Sequence, residues 1–220
     1  MPFPTTGILD NFNRANEGPP PTGWTAWISP GMLVSTNQMA PQDAGDNGAY
    51  WSTSMTGPDV EAWITIATQP GTASPCASLV AARLDPAGGG SVGNCYAVQL
   101  NNLSGTDTVQ IISVAASVNT VLATFNQEMG NGHKLGIQCI GSVIHAWADV
   151  GGGWIELGNV TDTTWAGTGN NNKIGVYNKG DASSAAARYD DFGGGVYVPP
   201  AGGASIPGPP QLIVGSGVWR

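Results

Sequence analysis

What most constrains this chain is a series of short apolar runs that alternate residue by residue, each cut off by a cluster of Gly, Asn, Asp or Pro. A period of two puts every second side chain on the same face of a strand, so the pattern predicts a sheet protein. The runs are Val60 to Ala67, Ser78 to Leu84, Cys95 to Leu100, Val109 to Ala115 and Val121 to Phe125, followed by Lys134 to Ile140, Val143 to Val150, Trp154 to Leu157, Lys173 to Tyr177 and Arg188 to Phe192. Ile111, Ile112, Val114, Val118 and Val121 are β-branched and suit a pleated surface. Ile140-Gly141-Ser142 reads as a tight reversal. Val150-Gly151-Gly152-Gly153-Trp154 reads as a hairpin loop whose glycines supply positive φ. No segment carries a convincing amphipathic helix. Asp181 to Arg188 is helix-compatible, but it reads as a loop feeding the last strand. About ten short strands at regular spacing predict an all-β chain folded as an antiparallel β-sandwich or jelly roll.

Composition agrees. Thirty-three Gly and 16 Pro are too many for a helical protein, while 41% apolar residues are enough for one core. Fifteen acids face seven Lys and Arg, a formal charge of −8, and no basic cluster appears. This argues against nucleic acid and an anionic membrane surface as partners. No stretch approaches the roughly 18 apolar residues of a membrane-spanning helix. Met-Pro-Phe-Pro-Thr-Thr-Gly has neither the basic nor the apolar region of a signal peptide, so synthesis in a cytoplasm is expected. Cys76, Cys95 and Cys139 form no zinc spacing and read as small buried thiols. A Cys76–Cys95 bridge stays open at this point, because sequence does not fix the geometry. Formal sequons at Asn102 and Asn159 read as accidental without a signal peptide.

The two ends of the ordered region match. Ile8-Leu9-Asp10-Asn11-Phe12-Asn13-Arg14 opens it, and Tyr189-Asp190-Asp191-Phe192-Gly193-Gly194 closes it, each coupling an acid to a phenylalanine. Residues 7 to 198 resemble the concanavalin A-like, laminin-G-like jelly rolls, in which an opening D-x-F-N-R and a closing D-D-F recur. The opening is also similar to that of laminin-G-like domains in bacteriophage minor tail proteins. The resemblance implies that the first and last strands lie side by side. It also implies calcium as a cofactor to consider, with Asp10, Asp190 and Asp191 as ligands if the ends converge. The competing expectation is that these aspartates cap turns or pair with Arg14 or Arg188. Gln42 to Gly48 is oxygen-rich, but it lacks the calcium-loop spacing and reads first as turn chemistry.

Domain boundaries follow the change in character after Tyr197. Residues 1–198 are expected to form the sandwich. Residues 199–220 are expected to form an extended arm, with a Pro/Gly-rich spacer that cannot pair in a sheet and a final apolar peptide. Leu212, Ile213, Val214, Val218 and Trp219 are the expected docking residues, for a neighbouring chain or the same domain.

The chemistry of catalysis is thin. Asp59 and Glu61 stand at i and i+2 on a strand, as paired glycosidase acids would, but no third acid follows. His133 sits in a turn, and no nucleophile elbow or phosphate loop is present. No enzyme is expected. Eight Trp in a chain with 10% charged residues suggest sugar stacking instead. Trp24, Trp27, Trp63 and Trp147 read as packed in the core or beneath the end strands. Trp51, Trp154 and Trp165 lie beside turns and are the candidate glycan contacts, with Asn170 and Asn171 as polar partners. These readings combine into an expected non-enzymatic virion protein, an accessory tail or surface protein of a bacteriophage. It would assemble with other virion proteins or as a homo-oligomer through its arm and engage cell-surface glycan. A freestanding carbohydrate-binding module is the alternative, with a glycoside hydrolase more remote.

Overall fold

The computed structural model describes residues 2–72, 77–89, 92–165, 170–179 and 187–200. Among them are fifteen strands in two antiparallel sheets, numbered in chain order, and no helix. One sheet runs β13 (Trp154–Thr161), β12 (Val143–Asp149), β11 (Lys134–Ile140), β6 (Val60–Thr68), β15 (Arg188–Val196), β4 (Gln38–Pro41), β3 (Met32–Ser35), with β1 (Ile8–Asp10) also pairing β15. The other runs β10 (Val118–Asn126), β9 (Thr108–Ala115), β8 (Asn94–Asn101), β7 (Ala77–Asp85), β14 (Lys173–Lys179), β5 (Asn47–Trp51), β2 (Trp24–Ile28). The expected sandwich is the fold.

Alternation explains the core. Ala62, Ile64 and Ile66 of β6 and Leu135, Ile137 and Cys139 of β11 point inward, against Val80 and Ala82 of β7 and Tyr96, Val98 and Leu100 of β8. All are essentially inaccessible to water. Their strand neighbours Glu61, Trp63, Gln138 and Leu79 point outward, as a two-residue period requires.

The matching ends meet. Ile8 pairs with Gly193 and Asp10 with Phe192. Phe12 and Phe192 are fully buried on either side of Trp24, at ring distances of 5.9 and 4.7 Å. Phe12 takes a positive φ of 52°, so the chain turns sharply off the end of β1, and its N–H donates to Asp10 Oδ1 at 2.8 Å.

Four strands between Trp24 and Trp51 lie outside the predicted runs. They are four or five residues long and include Pro, Gly and Asn, so they show little alternation. Their pairing comes from the sheets they join. Cys95 and Cys139 are free and buried, and burial raises both thiols, Cys139 to about 12. Cys76 lies outside the described residues.

Candidate functional site

The outer face of the seven-stranded sheet carries a cavity of about 140 Å³. Its walls include Trp27 from β2 and Asn119 from β10, which are the two edge strands of that sheet. In a flat sheet six steps of about 4.8 Å would hold these edges about 29 Å apart. The sheet is therefore strongly curled, and its corners close over one pocket.

The β7–β8 connection completes the enclosure. Trp27 Nε1 donates to the Val92 carbonyl at 2.6 Å, and Val92 N donates to Ser117 Oγ at 3.0 Å. Residue 92 thus bridges the β2 edge to the β9–β10 turn. Leu79 and Val114 make an apolar floor, continuous with Ala81, Cys95, Ala97 and Ile112.

Above this floor stand two aromatic rings and three polar groups. Trp27 and Tyr177 lie 5.9 Å apart at 54°. Both close over Gly48, where an added Cβ would come within 3.3 Å of Trp27 and 3.4 Å of Tyr177. The Tyr177 hydroxyl hydrogen-bonds to Asp46, and burial together with that carboxylate raises the phenol well above its usual range. Asp46 is set by the loop before β5, where Asn47 Nδ2 donates to the Asp43 and Gly45 carbonyls at 3.1 and 2.7 Å. This is turn chemistry, as the loop's sequence suggested. Asp46, Ser117 and Asn119 are exposed at the rim. Together they accept and donate hydrogen bonds, and the rings offer apolar faces, a combination suited to a hydroxylated ring.

The structure distributes the predicted glycan residues differently. Trp51 turns toward the interior and packs edge-on against Trp24 at 5.6 Å. Trp165 plugs the end of the core, with Nε1 donating to Ser113 Oγ at 3.1 Å. Trp154 lies on the outer face of the opposite sheet, near Phe3 and Trp63. Asn170 is exposed, and its carbonyl accepts from Asn172 N at 2.8 Å. Asn171 beside it is half-buried. Trp154 therefore stands on a different face from Trp51 and Trp165, which pack against the central core. Trp27, Trp63 and Trp147 are buried as expected, but in clusters on the outer faces of the sheets and not in the central core with Trp24.

Asp10 is paired within the protein. Its oxygens take Arg14 Nη1 and Nη2 at 2.6 and 3.0 Å, Trp24 Nε1 at 2.8 Å and the Phe12 N–H. That donor set is fully engaged inside the protein, so the pairing with Arg14 is what the structure realises. Asp190 accepts from Asp191 N at 2.9 Å. Burial and the neighbouring Asp190 hold the Asp191 carboxyl above its usual range. Among the described residues no group of three His, Cys, Asp or Glu side chains is placed to hold a metal ion.

The Asp59–Glu61 pair is engaged too. Asp59 Oδ1 accepts from Gly141 N at 2.7 Å, and Glu61 is fully buried, accepting from Thr5, Thr6 and Gln138. The docking residues Leu212, Ile213, Val214, Val218 and Trp219 lie outside the described residues.

No protein-family model matches the chain, and no curated protein matches it in sequence. Solved structures do match in shape. The carbohydrate-binding module CBM66 from Bacillus subtilis superposes with a TM-score of 0.58 at 17% identity, over 78% of this chain and 94% of that one. The exoplasmic/lumenal domain of VIP36, in its Ca²⁺/Man3GlcNAc-bound form, gives 0.60 at 10% identity, over 80% and 84%. The CBM2 module of the evolved Dit of Lactobacillus casei BL23 phage J-1 gives 0.59 at 10% identity, over 89% and 98%. Identities this low speak for fold alone. The fold is the lectin-like, concanavalin A-like jelly roll.

Proposed function

We propose that this chain is a non-enzymatic glycan-binding domain that holds one sugar residue in the pocket of Trp27, Tyr177, Asp46, Ser117 and Asn119. The observation that carries the reading is the meeting of two aromatic walls with three rim hydrogen-bonding groups over an apolar floor. The rings take the C–H face of the sugar, while Asp46 accepts from one hydroxyl and Asn119 bridges two. Similarity in shape to a carbohydrate-binding module and to a domain solved with Man3GlcNAc supports the same ligand class. The engagement of Asp59 and Glu61 in structural hydrogen bonds supports a binding role over hydrolysis.

The setting we propose is a bacteriophage virion, with the domain carried as an accessory tail or surface protein. The Asp10-to-Arg14 opening and the likeness to a phage Dit module support it. The likeness to CBM66 equally supports a freestanding module. In a virion many copies act together, so weak single sites add to useful adhesion.

A glycan array of the full chain, followed by titration of the best ligand, tests the binding. Asn119→Ala and Asp46→Asn each remove rim hydrogen bonds and lower affinity by about tenfold. A ligand whose affinity neither change moves does not use this pocket, and the proposal fails.

A further inference from the structure

The outer face of the eight-stranded sheet is crossed by the first residues of the chain. Gly194 N donates to the Gly7 carbonyl at 3.3 Å over β15. Thr5 N, Thr6 N and Thr6 Oγ1 all donate to Glu61 Oε1 on β6, at 2.6, 2.7 and 2.7 Å. Phe3 then reaches β12, where it stacks on Trp147 with ring centres 5.0 Å apart and planes 6° from parallel. Trp154 meets Phe3 edge-on at 4.8 Å. Gly136 is the floor of this slot, since a Cβ there would lie 2.4 Å from Phe3 Cζ.

Several polar atoms on the same face of this sheet lack partners. Trp63 Nε1, Thr65 Oγ1, Gln138 Oε1 and Trp147 Nε1 are buried without a hydrogen-bond partner. These are four of the seven such atoms among the described residues, and all four belong to outward-facing positions of β6, β11 and β12. Buried polar groups are almost always paired, so unpartnered atoms on an outer face are places where a ligand's hydroxyls can hydrogen-bond. Phe3 fills the slot by shape but offers no donor or acceptor. A pyranose ring matches a phenyl ring in size and stacks a C–H face on an indole. Its hydroxyls accept from indole N–H groups and donate to an amide oxygen.

We propose that this face is a second glycan site, specific for a hexopyranoside ring and closed by the chain's own N-terminal strap. The sugar displaces Phe3 from between Trp147 and Trp154, stacks on Trp147, and donates a hydroxyl to Gln138 Oε1, two residues along β11 from the Gly136 floor. Glu61 holds the strap at Thr5 and Thr6, so Phe3 can leave while the rest stays anchored. The site shares no residue with the pocket on the other sheet and does not depend on it.

Calorimetric titration of the full chain with gluco-, galacto- and mannopyranoside oligomers tests this, with Asn119→Ala present throughout to weaken the other pocket. Replacing Phe3 with glycine opens the slot, and deletion of residues 2–4 is the second opened form should the first fail to fold. A site open a tenth of the time binds with its affinity reduced by that fraction, so opening should tighten binding of at least one sugar about tenfold or more. Gln138→Leu, which removes an acceptor from the slot, should reverse that gain. No gain with any sugar in a folded opened chain overturns the proposal. So does a gain that Gln138→Leu leaves intact, or a slot that takes only the peptide Pro-Phe-Pro-Thr-Thr supplied in trans. None of these outcomes touches the Trp27 pocket.

Discussion

The indole N–H of Trp27 and the carbonyl of Val92 are joined across 2.6 Å, and this bond fixes the β7–β8 connection over the outer face of the curled sheet. Without it, Val92 would be held to the β9–β10 turn only through Ser117. Trp27→Phe keeps most of the apolar contact and deletes the donor. The expected cost is about 1 kcal/mol in denaturant unfolding, with faster amide exchange at Val92 and Gly93. Unchanged exchange at both amides would show that the bond does not hold the loop.

Arg83 ties together one end of the sandwich. It is fully buried, with Nε donating to the Pro58 carbonyl at 2.9 Å, Nη1 to Trp165 at 3.0 Å and Nη2 to Gly141 at 2.7 Å. Asp59 lies 3.5 Å from Nη2 and balances its charge. Arg83→Met preserves bulk but leaves three carbonyls without their donor, at a cost of about 3 kcal/mol or more. A loss under about 1 kcal/mol would mean that water replaces the guanidinium readily.

Acid should weaken the fold in a defined window. Hydrogen bonds from the Thr22 hydroxyl and then from Arg14 hold the Glu17 carboxyl at about 2, against 4.5 in the unfolded chain. As pH falls the unfolded chain takes up this proton first, so the contribution is whole above about 4.5 and drains away toward about 2. Two other carboxyls act in the same direction. Burial raises Glu156, but Asn159 and His145 outweigh it; burial raises Asp162, but the Tyr96 hydroxyl and Thr164 outweigh it. Tm should fall steadily across that window, and less steeply in Glu17→Gln. Equal slopes in the two proteins would remove Glu17 from this account.

Residues 199–220, the expected arm, carry the test of the proposed virion setting. Replacing Leu212, Val214 and Val218 with Asp should abolish incorporation into particles while the domain remains folded, because an apolar docking segment tolerates no buried charge. Normal incorporation would leave the freestanding module as the better reading.

Much of the fold was legible because alternation survives wherever a strand is long enough to show it. Lys134–Ile140 has the predicted bounds, and the other runs from Val60 onward differ by a few residues at their ends. That the first and last strands lie side by side was legible as well, from the acid–phenylalanine match of the two ends and the family resemblance it carries. The short strands Met32–Ser35 and Gln38–Pro41 were not, since four residues hold only two periods. The site was harder for a different reason. Trp27, Asp46, Val92, Ser117 and Tyr177 come from five separate segments, and only the curl of the sheet brings its two edges together. Proximity to turns singled out Trp51 and Trp165, yet both fold inward because the ends of a sandwich need large rings to cap the core.

The central claim is that glycan enters the Trp27 pocket, and the indole N–H signals report on it most directly. The eight tryptophans give distinct reporters in a proton–nitrogen correlation spectrum recorded during titration with the best array ligand. The account predicts saturable shifts at the Trp27 indole and the Asn119 side-chain amide, with Trp24 unmoved in the core. A ligand that binds and leaves Trp27 and Asn119 unshifted would contradict it.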